Sequence, residues 1–298
     1  MNYLFYALIA YAFWAISIIF DKILRSKQIK DSTTLVIIFG FANLLPFIFL
    51  LPFINIQFPS LQILLISLFT GFLMIIAVIP YLNSLSMEEA SRVAPLWHFS
   101  PMFVLILAFF FLNEKLTTNS YIGFFLLLFG GLLISTRKIK SIFKINNVFW
   151  LMLISSLMFA VSEIFTKFIY KTQDYWNGIF WIILGFPLGS LVLLLIKKHR
   201  VNFKNTISNL KKKSILFLLG SSLTGFFGRV FYFIAIMLGS VSLAAVTGGF
   251  EGFFVLIYAI ILSHHLPKLF KEEVDKKIIL HKIIAISLMF IGLIFVYI

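Results

Sequence analysis

The feature that most constrains this chain is a series of apolar stretches, each about as long as a membrane is thick. A helix needs about 20 mostly apolar residues to cross the hydrocarbon core of a bilayer. Ten stretches meet or approach that length: Tyr3–Phe20, Thr34–Phe53, Leu61–Leu82, Val93–Leu112, Tyr121–Ser135, Val148–Tyr170, Trp176–Ile196, Ser214–Leu238, Ser242–Ser263 and Ile278–Ile298. We therefore expect an all-α membrane protein with ten transmembrane helices, joined mostly by short connections.

The composition favours lipid over water as the main surroundings of the folded chain. Of the 298 residues, 61% are hydrophobic and only 12% are charged. Soluble domains carry roughly 25% charged residues, so this chain cannot cover a water-facing surface. The net charge of +14 is then better explained by membrane loops than by binding to nucleic acid. No cofactor is expected.

The basic residues are divided unevenly between the two sides of the predicted bundle. Of the 25 Lys and Arg residues, 21 lie in the connections after the first, third, fifth, seventh and ninth stretches, and three lie in the other connections. The positive-inside rule therefore places the odd connections in the cytoplasm and both termini outside the cell membrane. The richest connection, residues 197–213, could also contact anionic lipid headgroups.

The two halves of the sequence resemble each other. Residues Trp14–Lys22 match Phe159–Lys167 at an offset of 145, with Ala, Ser, Phe and Lys in the same places. Further along, Tyr81 matches Tyr232 at an offset of 151. The matches keep the same order along both halves, and the offset grows only at the connections, which favours an internal duplication.

Each predicted half has five helices, so the second half enters the membrane from the opposite side. We expect one repeat over residues 1–138 and a second over residues 146–298. Such inverted repeats are the usual construction of secondary transporters, because two related halves can exchange inward-open and outward-open conformations.

One region of the first half resembles a known family. The segments Ala90–Pro95, Phe99–Pro101 and Leu112–Thr117, followed by Gly123 and Gly130, are similar to the EamA module of the drug/metabolite transporter superfamily. The resemblance implies two modules of five helices and the transport of a small metabolite, without identifying the cargo.

The second half departs from the family pattern at three places. His265 stands where the first half has Glu114, Gly252 stands where it has Pro101, and the segment Pro267–Leu280 is an insertion. Members of the family commonly keep both termini in the cytoplasm, whereas the charge distribution here predicts the reverse.

Three charged residues lie inside predicted helices: Glu163, Arg229 and Glu251. Each costs about 2.5–3.5 kcal/mol at mid-membrane even on an insertion scale, so each needs a structural or functional reason. Arg229 and Glu251 lie at equal distances from the turn near Ser240, so they could form a buried ion pair. Alternatively, one or both of them face a cavity and bind a charged substrate or exchange a proton, with Glu163 or Glu251 as the acid that contacts the substrate or couples transport.

Further residues around these charges could line a substrate pocket. They are Tyr81, Trp97, His98, Pro101, Tyr232, Gly248, Gly249 and Gly252. A proline break, glycines and tyrosine hydroxyls can all serve a binding site, but each residue type also serves ordinary helix packing. Glu114, Asp21 and Lys22 are expected to be solvated helix ends.

Other classes of function find little support. Glu88 and Glu89 are followed by Arg92 at the wrong spacing for a CAAX-type intramembrane protease, and the adjacent His264 and His265 make a poor metal pair. The sequence thus favours a gradient-driven secondary carrier, an exporter or exchanger of a small polar or amphipathic metabolite, working by alternating access. The alternatives are a flippase for a lipid-linked intermediate and, less favoured, an intramembrane enzyme. A homodimer is left open.

Overall fold

The computed structural model of the protein describes residues 3–27, 29, 31–48, 51–87, 93–135, 146–263 and 276–298. These residues are mainly helical and include no strand. The α-helices are α1 Tyr3–Lys27, α2 Ser32–Ala42, α3 Leu45–Ile48, α4 Leu61–Met87, α5 Phe99–Leu112, α6 Thr118–Ser135, α7 Asn147–Ile169, α8 Tyr175–Leu195, α9 Lys197–Ser208, α10 Lys212–Leu238, α11 Val241–Val246, α12 Gly249–Ser263 and α13 Lys276–Tyr297.

Each of the ten predicted apolar stretches overlaps a helical segment. Among the described residues, six segments are long and apolar enough to cross a membrane, and they lie in α1, α4, α7, α8, α10 and the combined α11 and α12. Four shorter apolar segments, Ser32–Ile48, Leu96–Leu112, Thr118–Ile134 and Lys282–Tyr297, accompany them. The chain is therefore an all-helical, multi-pass membrane protein.

The second predicted stretch is interrupted rather than continuous. Asp31 caps the start of α2 by accepting a hydrogen bond of 2.9 Å from the Thr34 N–H. At the other end, the Asn43 side chain donates to the carbonyl oxygen of Phe39, and Pro46 lacks an N–H to continue the helical pattern. The helix consequently ends at Ala42 and restarts as the short α3.

The fourth and ninth predicted stretches are both discontinuous. A 3₁₀ segment, Ala94–His98, precedes α5, and a turn at Thr247 and Gly248 separates α11 from α12. Proline residues at positions 95 and 101 fit the first change of helix type, because proline removes a backbone donor. Irregular backbone at membrane depth is tolerated where it is buried or lines a cavity.

The sequence suggested a simple loop for the basic connection of residues 197–213. The structure instead has the 12-residue helix α9 within it. The last helix also begins earlier than predicted, at Lys276, so the proposed insertion Pro267–Leu280 ends in helix. The rest of that insertion, His264, His265 and residues 88–92 lie outside the described residues.

The two halves of the chain interlock. Helix α1 packs along α10, and α4 packs along α7 and α8, while α6 packs along α13. A Cβ atom on Gly123 of α6 would lie 2.6 Å from the carbonyl oxygen of Gly292 of α13. Only glycine at these positions allows the two helices to meet backbone to backbone.

Candidate functional site

A buried tyrosine holds an acidic side chain between two helices. The Tyr232 hydroxyl of α10 donates a 2.8 Å hydrogen bond to the carboxylate of Glu163 on α7. Tyr232 is 3% exposed, whereas Glu163 stays partly accessible. An ionisable group inside a membrane helix is rare and usually functional. Here one carboxylate oxygen of Glu163 accepts a hydrogen bond, while the residue remains partly accessible.

Three aromatic rings enclose this contact, and we call Tyr11, Trp14 and Tyr232 the polar aromatic cluster. Their ring centroids lie 5.0–5.6 Å apart in edge-on or tilted arrangements. The Tyr11 hydroxyl donates to the carbonyl oxygen of Ala245, and the Trp14 indole N–H donates to that of Gly225. Because these donors are anchored to backbone, the rings hold fixed positions beside Glu163.

Glu251 reaches the same neighbourhood from the break between α11 and α12. It lies in the first turn of α12, where a negative charge is favoured by the helix dipole, and it is partly accessible. Tyr11 is within electrostatic reach of both Glu163 and Glu251. A Cβ on Gly248 would lie 3.0 Å from the Tyr11 hydroxyl, so the helix break passes directly beside the cluster.

Arg229 lies three residues before Tyr232 on α10, and its partners are not those expected from the sequence. Its Nη1 donates a 3.1 Å hydrogen bond to the side-chain oxygen of Asn43, and its guanidinium lies 4.6 Å from the ring centre of Phe186. Within the described part of the chain, no ion pair joins Arg229 to Glu251. The break at Gly248 directs α12 toward α1 and α6 instead of along α10.

A second set of rings, Tyr81, Trp97 and Phe159, forms what we call the apolar aromatic cluster. Trp97 lies 4.8 Å from Tyr81 and 5.1 Å from Phe159, measured between ring centroids. Buried Val93, Leu96, Val148 and Met152 surround the first two rings. Phe159 precedes Glu163 by four residues and shares its face of α7, so the two clusters are neighbours along that helix.

The remaining predicted pocket residues serve mainly as packing in this conformation. His98 is 8% exposed and hydrogen-bonds the backbone of Gly131. A Cβ on Gly131 would lie 2.7 Å from the Cα of Gly249, so α6 and α12 touch at this point. Pro101 is buried within α5, and Gly252 is partly exposed on α12.

Asp21 is not the solvated helix end that the sequence suggested. Its carboxylate accepts a 2.5 Å hydrogen bond from the Ser221 hydroxyl of α10, and that hydroxyl lies 3.1 Å from the hydroxyl of Ser17. Tyr11, Trp14, Ser17 and Asp21 follow one another at helical spacing along α1. These four residues form a polar stripe on an otherwise apolar helix, and the sequence pattern alone could have indicated that this face of α1 contacts another helix.

Glu114 and Lys167 hold the turn between α10 and α11. Glu114 accepts hydrogen bonds of 2.7–3.1 Å from the Ser240 hydroxyl and from the first N–H groups of α11. The Lys167 ammonium donates to three carbonyl oxygens at the end of α10, those of Ile236, Met237 and Gly239, at 2.7–3.2 Å. Glu114 is thus a capping residue rather than a solvated charge.

Comparison with known proteins agrees with this architecture. The model of the EamA-like transporter family matches residues 1–136. A crystal structure at 10% sequence identity superposes with a TM-score of 0.68, covering 98% of this chain and 96% of its own, which shows a common fold. No curated protein matches the chain. With the apolar helices, this match indicates a multi-pass membrane protein whose residues 1–136 are similar to the EamA-like transporters of the drug/metabolite transporter superfamily.

Proposed function

We propose that this protein is a gradient-driven secondary carrier that exports or exchanges a small, charged, polar or amphipathic metabolite by alternating access. The observation that carries the proposal is the Glu163–Tyr232 contact, an accessible carboxylate held within aromatic rings inside a membrane helix. Acidic residues inside membrane helices commonly mark the pathway of a substrate or a proton, so this contact fits a carrier.

The proposal includes an inverted repeat of two five-helix halves, residues 1–138 and 146–298, with ten transmembrane helices. Two sets of helix contacts support it. In the proposed repeat, α1 corresponds to α7 and α10 corresponds to α4. Helix α1 packs extensively along α10, and its counterpart α7 packs extensively along α4. The pairings of α2 with α8 and of α6 with α13 join helices at equivalent places in the halves. Related halves can then reach two conformations of similar energy.

We assign different chemical tasks to the three intramembrane charges. Glu163 and Glu251 bind a cationic group of the cargo or exchange a proton with it. Arg229 binds an anionic group, since Asn43 and Phe186 leave other donors of its guanidinium available for a ligand. Opposite charges on neighbouring helices suit a cargo that carries a charge of its own and passes between them.

We further propose outward transport, which the predicted orientation and the turn between α10 and α11 support. The basic connections face the cytoplasm in this proposal, so the turn held by Glu114 and Lys167 faces outside. Those contacts join the ends of α5 and α7 to the α10–α11 turn and would have to rearrange for cargo to leave on that side. Cargo accordingly enters from the cytoplasmic side of the cell membrane.

A ligand screen followed by transport tests the proposal. Purified wild-type protein is screened for thermal stabilisation by small charged metabolites, and a labelled ligand that stabilises it is then offered to proteoliposomes. We expect Arg229→Met to weaken binding of that ligand at least tenfold, about the loss for a hydrogen bond to a charged group. The matched control is Lys171→Gln, which removes an exposed cation after α7. No transport of any stabilising ligand, or equal binding by Arg229→Met, would contradict it.

Orientation is tested separately, because the chain has no native cysteine. Ser60→Cys and Asn205→Cys both introduce a thiol at an exposed position, one before α4 and one on α9. In intact cells, a membrane-impermeant maleimide should label the first variant only, and should label the second after the membrane is opened. Labelling in the reverse order would place both termini in the cytoplasm.

A further inference from the structure

Helix α9 carries three of its four Lys and Arg residues on a single face. Lys197, Arg200 and Lys204 are spaced three and four residues apart, which places them on one stripe of a helix, and all three are exposed. Val201 and Ile207, exposed at 47% and 45%, flank the stripe. The combination of a basic stripe with adjacent apolar side chains is typical of a helix that lies at a membrane surface.

A second face of α9 packs against the protein and fixes the orientation of the helix. Phe203, and Leu210 just beyond the helix, pack against the hydrophobic core, and α9 contacts both α8 and α2. At 100° per residue, Phe203 lies about 60–120° around the helix from the three cations, and all three cations are exposed. The basic stripe therefore points away from the bundle.

The neighbouring helix ends indicate where the stripe stands relative to lipid. Leu195, the last residue of α8, is 78% exposed, and Leu216 near the start of α10 is 68% exposed. In a membrane protein such apolar side chains face hydrocarbon. Lys197 follows Leu195 by two residues, so α9 begins where the hydrocarbon ends and headgroups start.

Nothing in this part of the sequence neutralises the stripe. No Asp or Glu occurs between Asp174 and Glu251, while residues 197–213 contain Lys197, Lys198, Arg200, Lys204, Lys211, Lys212 and Lys213. The positive-inside rule accounts for the number of these charges but not for their arrangement. It requires neither a helix nor a common face.

We propose that the exposed face of α9 binds the headgroups of anionic phospholipids through Lys197, Arg200 and Lys204. Val201 and Ile207 insert beside those headgroups, and Phe203 and Leu210 couple the bound helix to α8 and α2. Because Asn43, the partner of Arg229, directly follows the last residue of α2, the lipid-binding helix is connected to the site through one short helix.

The test is a titration of full-length protein in neutral detergent with phosphatidylglycerol, followed by thermal unfolding. At about 1 kcal/mol for each basic residue near an anionic surface, the variant Lys197→Gln/Arg200→Gln/Lys204→Gln should need about a hundredfold more phosphatidylglycerol for half-maximal stabilisation. The matched control, Lys211→Gln/Lys212→Gln/Lys213→Gln, removes the same charge from three consecutive positions and should shift the midpoint much less.

Native mass spectrometry of the same variants gives a second readout that does not depend on unfolding. Wild type and the control should retain bound phosphatidylglycerol, and the stripe variant should lose it. Equal loss in the two triple variants would show diffuse charge attraction and overturn the proposal. Equal stabilisation by phosphatidylcholine, or by inorganic phosphate alone, would overturn it as well.

Discussion

The two aromatic clusters occupy matching places in the two halves and have opposite chemistry. Tyr81 of the apolar cluster corresponds to Tyr232 of the polar cluster, and Phe159 corresponds to Trp14, at the offsets of the sequence repeat. The ring spacings are similar, 4.8–5.1 Å in one and 5.0–5.6 Å in the other. The ring spacing is therefore similar at positions that the sequence matches relate to each other.

What differs is the set of residues at the positions that match the three charges in sequence. Glu163 is matched by Ile18, Arg229 by Val78, and Glu251 by Ser100. All three intramembrane charges thus belong to the second half, although the helices that enclose them come from both. The comparison teaches that a repeated scaffold can carry one charged site, because single substitutions decide where a charge is placed.

The largest expected effect comes from removing the charge of the polar cluster. Glu163→Gln keeps a carbonyl oxygen that accepts the Tyr232 hydrogen bond but loses the negative charge. We expect transport of the ligand found by screening to fall by at least tenfold in proteoliposomes, since a hydrogen bond to a charged group contributes about 1.5–3 kcal/mol. Thermal stability should not fall, and unchanged transport would remove Glu163 from the mechanism.

The converse change places an acid on the apolar side of the comparison. Ile18→Glu should lower the free energy of unfolding by about 2–3 kcal/mol, the order of the cost of a charge at mid-membrane. Denaturation in detergent measures the loss, with Ile18→Leu as the size-matched control. If Ile18→Glu were as stable as wild type, the two sides would be equally able to hold a charge.

A smaller effect is expected from the hydroxyl group that holds Glu163. Tyr232→Phe leaves the rings of the polar cluster in contact but removes the donor at 2.8 Å. Transport should fall by roughly fivefold to tenfold, because a typical hydrogen bond contributes about 1 kcal/mol and Glu163 keeps its charge in this variant. Trp14→Phe, which removes the indole donor to Gly225 while keeping a ring, provides a comparison in which Glu163 retains its partner.

The smallest effect on transport is expected from the apolar cluster. Trp97→Phe reduces the ring that lies between Tyr81 and Phe159, so it should lower stability by about 1–2 kcal/mol through lost packing. Transport per folded molecule should change by less than about twofold. A loss as large as that of Glu163→Gln would mean that both clusters contact the cargo.

The helices of this fold could be predicted from the sequence because the bilayer sets a length that each apolar stretch must meet. The internal breaks were harder to place. Pro95 and Pro101 signal the change of helix type at α5, but the turn at Gly248 depends on the contact of that glycine with Tyr11. A glycine in an apolar stretch indicates packing as readily as a break.

The contacts of the candidate site were not predictable from the sequence. Charge inside apolar stretches singled out Glu163, Arg229 and Glu251 as candidates. Their partners lie on other helices, and the sequence of one helix does not reveal how it packs against another. Asn43 and Phe186 reach Arg229 from two other helices. The expected contact of Arg229 with Glu251 assumed a continuous hairpin, which the break before α12 rules out.

The contacts of Glu114 and Lys167 have a consequence for the order in which the protein assembles. Both residues precede the α10–α11 turn in the chain, and their partners are backbone groups of that turn and of the helix ends beside it. During synthesis, the two charges enter the membrane region long before Gly239 and Ser240 exist. The arrival of the later hairpin therefore completes the contacts of the earlier helices, and a chain halted before it lacks the backbone partners of both residues.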